Sequence, residues 1–203
     1  MLGESVISCV LSENDHGTHH YGSVAVSFHI AFNLAMLYFD SMPHHAKDHV
    51  LRRSGLAGIF FSLLHLPLSI TLLVAGAGIK FMVTYSDKVP TVSAAWLLCV
   101  CISVSVAIMS IIRILHQGIE SKLAASCFVW IVRCHRALSF AAILCLPLMY
   151  GASKGGVSSL ALLIIVDGIL LSLVLAERYS LLLKENKTEK EKAATLETDL
   201  VPI

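Results

Sequence analysis

Charge is what this chain has least of. Only 14% of its 203 residues are Asp, Glu, Lys or Arg, against about 25% in an ordinary soluble domain. With 56% hydrophobic residues and a mean hydropathy of +0.78, that scarcity excludes a water-soluble globular domain and points to a membrane protein. The net charge is +1 and no basic block stands beside an aromatic cluster, which excludes a nucleic-acid surface. There is no C-x-x-C pair and no His/Cys group at zinc spacing. Cys9, Cys99, Cys101, Cys127, Cys134 and Cys145 all lie in or at the ends of apolar segments, so they read as small packing residues, with no structural disulfide and no metal. Gly-rich phosphate loops are absent, because Gly151-Ala-Ser-Lys-Gly-Gly156 lacks the spacing such a loop needs. Ser5, in Gly3-Glu4-Ser5, lacks the following glycine of a nucleophile elbow. The expectation is no enzymatic activity and no cofactor.

What the chain does have is long apolar runs. A bilayer core of roughly 30 Å needs about 20 helical residues, and five stretches meet that length: 21–39, about 56–81, 92–115, 127–150 and 157–176. None shows the alternation of a barrel strand, and a lipid-facing backbone must satisfy its own hydrogen bonds, so the predicted fold class is all-α, a polytopic transmembrane helix bundle. An opening run over 1–11 is half a span long, with neither the basic start nor the cleavage site of a signal peptide. It is read as one partial N-terminal helix, and the chain as the C-terminal part of a longer protein or a short gene model, with the missing N-terminal helices among its partners. The helical domain thus covers 1–178. Residues 179–203 form a charged tail, predicted to be disordered and solvated after a short helical extension. Its Asn186-Lys187-Thr188 matches a glycosylation acceptor pattern but falls on the cytosolic side, where that modification does not occur.

Orientation follows from the basic residues. Placing the tail inside puts Lys47, Arg52, Arg53, Arg113, Lys122, Arg133, Arg136, Arg178, Lys184, Lys187, Lys190 and Lys192 in the cytosol, twelve of fifteen, and leaves Lys80, Lys88 and Lys154 outside. That bias predicts a multi-pass integral membrane protein with a cytosolic C-terminus, in a plasma membrane or an endomembrane.

Ionisable groups cost roughly 2.5–3.5 kcal/mol at the centre of a membrane helix on insertion scales, so their positions carry information. At 100° per residue, Gly22, His29, Asn33 and Asp40 fall within about 40° of one another on the second span. On the next, Gly58, Ser62, His65, Ser69, Gly76 and Lys80 share a sector of about 60°. Two adjacent helices therefore each carry a narrow polar stripe centred on a histidine. Pro67 is expected to kink the second of them. Two acids complete the set: Glu4, about 12 Å below the outer break, and Asp167, flanked by Leu-Ile-Ile-Val and Gly-Ile-Leu-Leu. Asp167 must find a partner on a neighbouring helix, stay protonated or touch water. Trp96, Cys99, Ser103 and Ser110 form a stripe that reads as helix packing. His16, His19, His20, His44, His45 and His49 read as solvated loop residues.

The motifs themselves carry a resemblance. Leu2-Gly3-Glu4-Ser5, then Leu37-Tyr38-Phe39-Asp40, then His65-Leu66-Pro67-Leu68, and finally Gly76-Ala-Gly78-Ile-Lys80 resemble, in order and at compatible spacing, the successive motifs of the low-temperature-requirement A (LtrA) family. The match covers Leu2 to about Phe81. The resemblance implies a polytopic membrane protein with helices preceding the Leu-Gly-Glu-Ser segment, and it supplies no substrate.

Two functional readings stand at this point. One is a proton- or ion-linked transporter or channel, with Glu4, His29, Asn33, Asp40, His65, Ser69, Lys80 and Asp167 along the path and protons or small ions, with the lipid bilayer, as partners. The other is a structural or interaction protein in which the same groups only lock helices together. A homo-oligomer is compatible with either.

Overall fold

The computed structural model describes residues 18–42, 55–85, 91–117, 127–152 and 157–199. They form five helices: α1 (Thr18–Ser41), α2 (Gly55–Thr84), α3 (Val92–Gln117), α4 (Cys127–Ala152) and α5 (Ser159–Asp199). All five are long and apolar enough to cross a membrane. Many of their residues are β-branched, which in water would favour strands; in lipid the need to close every backbone hydrogen bond within the segment decides for helix. Side-chain hydroxyls are satisfied the same way. Ser27, Ser41, Ser62, Ser105 and Ser110 each donate to the carbonyl four residues back, at 2.6–3.1 Å, so a serine can face lipid or a packed neighbour without an orphaned donor. Thr91 and Ser158 accept from the amides three residues on and cap α3 and α5.

α3 is the centre of the bundle. Just over half of its span is buried, 56% against 17–39% for the other four, and it packs on α2, α4 and α1, while α5 packs on α1, α4 and α2. The α2–α3 pair is antiparallel: Gly78 meets Leu98, and Thr71 meets Ser105, so one number falls as the other rises. The pair is also close, since a Cβ on Gly78 would stand 3.1 Å from the Cα of Leu98. The α1–α5 pair is parallel. Gly22 meets Leu160, His29 meets Asp167 across 138 residues, and Asp40 meets Arg178, the same offset each time. From 22 to 40 is 18 residues, five helical turns, so one face of α1 stays against one face of α5 throughout.

The interior is mainly aliphatic with polar groups set into it, and the outside is apolar. Glu177, Ser27, Ser103 and Ser105 are fully buried, while Phe60, Leu66 and Phe32 are among the large side chains facing outward. The serine and cysteine stripe on α3 packs as expected, with Cys99 and Ser103 at 0% exposure. Two expectations change. The last helix does not end near residue 176 and hand over to a disordered tail; it continues to Asp199. The tail is rich in Lys, Glu, Ala and Leu, all strong helix formers, and spaces Lys187 and Glu191 four apart, so it can prolong a helix already nucleated in the membrane. His19 and His20 are not loop residues; α1 starts at Thr18 and His20 is buried. Pro67 lies inside α2, which continues past it, with its ring exposed on the outer side. The partial helix over 1–11, with Glu4, lies outside the described residues.

Candidate functional site

The parallel register of α1 and α5 assembles the first polar cluster. Eleven residues past the start of α1, His29 stands about 16 Å into the span; Asp167, eight residues into α5, stands about 12 Å in, so both lie near the middle of a 30 Å core. His29 Nδ1 donates to Asp167 Oδ2 at 2.6 Å, a close hydrogen bond. Asn33 Nδ2 donates to Asp167 Oδ1 at 2.9 Å. With the ring hydrogen on Nδ1 directed at the carboxylate, His29 Nε2 is left to accept or carry a second proton. Burial grades outward: Asn33 is 1% exposed, and the side chains of Asp167 and His29 are 16% and 44% exposed. The cluster is therefore anchored inside the bundle and open at the imidazole.

Asp167 thus finds the neighbouring-helix partner that the sequence requires of it, on the stripe of α1. The second stripe goes elsewhere. His65 Nδ1 donates to the Phe61 carbonyl at 2.8 Å, which leaves Nε2 to accept from the Tyr38 hydroxyl at 3.2 Å. Tyr38 is nine residues beyond His29, about 14 Å along α1, so the two histidines sit at different depths and do not converge. Phe61 stacks edge-on against both His65, at 4.3 Å between centroids, and His116 of α3, at 5.0 Å. Ser69 is half-buried on α2 and Lys80 is exposed at the far end of that helix; neither joins the His29 cluster.

A third cluster was not marked as a site in the sequence. Glu177 of α5 is fully buried and its two carboxylate oxygens are gripped by Arg113 of α3 and Arg136 of α4; Arg136 also donates to Ser110 at 3.2 Å. The next residue, Arg178, pairs with Asp40 of α1 at 3.0 Å. Two consecutive residues of α5 thereby tie together four helices. Asp40 belongs to this lock, eleven residues from His29. The signal that could have found it is the helical face: Glu177 lies four, seven and eleven residues after Leu173, Leu170 and Val166, all buried, and an acid on a core face must have internal partners. Counting Arg113, Arg136 and Arg178 only as topology signals conceals this.

No curated protein and no solved structure matches this chain significantly. A family model does, described as bacterial low temperature requirement A protein (LtrA), over residues 1–182. That range extends the motif resemblance of the first two described helices through all five. The chain is a multi-pass integral membrane protein and belongs to the LtrA family.

Proposed function

We propose that the protein moves protons or small ions across its membrane, with His29, Asn33 and Asp167 as the site that carries them. The observation that supports this is the hydrogen-bonded cluster at mid-depth, whose imidazole is 44% exposed. A group that costs a few kcal/mol against lipid is expected to face water or a protein-lined path, and imidazole is the side chain suited to passing protons near neutral pH. Asp40 and His65 are assigned to holding helices, Ser69 and Lys80 to no step. The reading includes a cytosolic C-terminus, from the distribution of basic residues, and no enzymatic activity. A second reading, polar groups serving helix association alone, draws on His65, whose two bonds are both spent on packing partners.

The two separate in proteoliposomes of the full chain loaded with a pH-reporting dye under an imposed potassium diffusion potential. Transport gives acidification faster than in empty vesicles, reduced to the empty-vesicle rate by Asp167→Asn or His29→Leu and retained in His65→Leu. Wild-type protein no faster than empty vesicles, with every variant the same, leaves the packing reading.

A further inference from the structure

Between α3 and α4, away from the His29 cluster, lies a cavity of about 360 Å³. Its polar end is built by three arginines, Arg113, Arg133 and Arg136, and Ser110; its walls are apolar, with Ile111 and Phe140 among them. Ile111 and Ile114 at its rim are 46% and 40% exposed, so the cavity opens on the lipid-facing side of the bundle.

The charge around it does not balance. Arg113 and Arg136 share the single carboxylate of Glu177. The other acid within electrostatic reach of Arg113 is Asp40, which already pairs with Arg178. Among the described residues, four guanidiniums against two carboxylates leave two positive charges uncompensated. Arg133 holds one of them: among the described residues its buried Nε finds no hydrogen-bond partner. Such a buried donor costs free energy unless an acceptor arrives.

The depth suits one kind of acceptor. Arg113 is three residues from the end of the α3 span at His116 and Arg133 six from the start of α4 at Cys127, about 5 and 9 Å inside the helix ends, within reach of the headgroup region. By the basic-residue bias this is the cytosolic leaflet, where anionic lipids concentrate and basic pockets between helices hold their headgroups.

We propose that this cavity binds the phosphate headgroup of an anionic phospholipid, with Arg133 presenting its planar fork to the phosphate oxygens and one acyl chain lying along Ile111, Ile114 and Phe140. A guanidinium matches phosphate geometry bidentately where an ammonium offers a point charge. At about 360 Å³ the cavity is at the small end of ligand pockets; it takes a headgroup and leaves the rest of the lipid in the bilayer.

The test is thermal unfolding of the full chain in mixed micelles containing phosphatidylglycerol, phosphatidylcholine, or neither lipid but inorganic phosphate. Phosphatidylglycerol is expected to raise Tm by about 5 °C over phosphatidylcholine. Arg133→Gln should lose that difference while keeping the phosphatidylcholine Tm, and Arg133→Lys should retain a smaller one. Equal shifts from the two lipids overturn the proposal, as does an undiminished shift in Arg133→Gln. A shift reproduced by inorganic phosphate alone replaces the lipid site with a free-anion site. Should Arg133→Gln fail to fold, the wild-type lipid comparison and Arg133→Lys still decide.

Discussion

A carboxylate with no solvent exposure survives in an apolar bundle only if its charge is met on every side. Glu177 is met by two guanidiniums, and removing one member of such a buried group is worse than never having had it, because the others are left charged and unpaired. Glu177→Gln is therefore expected to destabilise the bundle by about 3–5 kcal/mol, read as a fall in Tm in detergent. The effect should exceed that of His65→Leu, which removes one interhelical bond from Tyr38 and is expected to cost about 1 kcal/mol or less. If the two variants unfold at the same temperature, the lock carries no special weight. These residues also mark where sequence reading stops. Helical angles alone place His29, Asn33 and Asp40 on one stripe and require a partner for Asp167. They do not say that 29 pairs with 167 while 40 pairs with 178, because that depends on the register of two helices separated by more than a hundred residues. The same limit applies to His65: a stripe repeated on an adjacent helix has no depth until the helices are docked.

At the scale of elements, close approach of α2 to α3 rests on the missing side chain of Gly78. A Cβ there would stand 3.1 Å from the Cα and 3.3 Å from the amide nitrogen of Leu98, backbone atoms that cannot turn aside. Small residues of this kind let membrane helices gain dispersion contact where no hydrophobic force draws them together. Gly78→Val is expected to wedge the pair apart at a cost of about 1–3 kcal/mol. Gly168 is the control, since a Cβ there meets nothing within 4 Å: Gly168→Ala should stabilise by about 0.4–1 kcal/mol by restricting the unfolded chain. Opposite signs in the two Tm shifts separate packing from helix propensity; a fall for both would mean that the loss at Gly78 is not specific to the close α2–α3 approach. The helices themselves were legible from hydropathy, because a span's length is set by the bilayer. The end of α5 was not: hydropathy reports where the lipid stops, whereas a helix stops where propensity and capping stop it. Its 41 residues amount to about 61 Å, twice the hydrocarbon thickness, so α5 must project well beyond the membrane.

At the scale of the whole molecule, contacts and charges reach the same topology independently. α1 and α5 run parallel, as the constant offset from Gly22–Leu160 to Asp40–Arg178 requires, and two parallel spans must be separated by an odd number of others; α2, α3 and α4 satisfy this. The end of α1, the start of α2, the end of α3, the start of α4 and the extension of α5 then share one side, and that side carries twelve of the fifteen basic residues. The three ion-pair partners of Glu177 and Arg178, namely Arg113, Arg136 and Asp40, lie toward it, so the bundle is fastened at the end rich in basic residues and held at its opposite end mainly by apolar packing and the bond from Ser159 to the Tyr85 carbonyl. Single cysteines introduced in a background without native cysteines give the measurement. Asn186→Cys should react with a membrane-impermeant maleimide only after the cells are opened, and Lys154→Cys should react in intact cells. Labelling of position 186 in intact cells would reverse the orientation, and with it move the Arg133 cavity to the leaflet where anionic lipid is scarce.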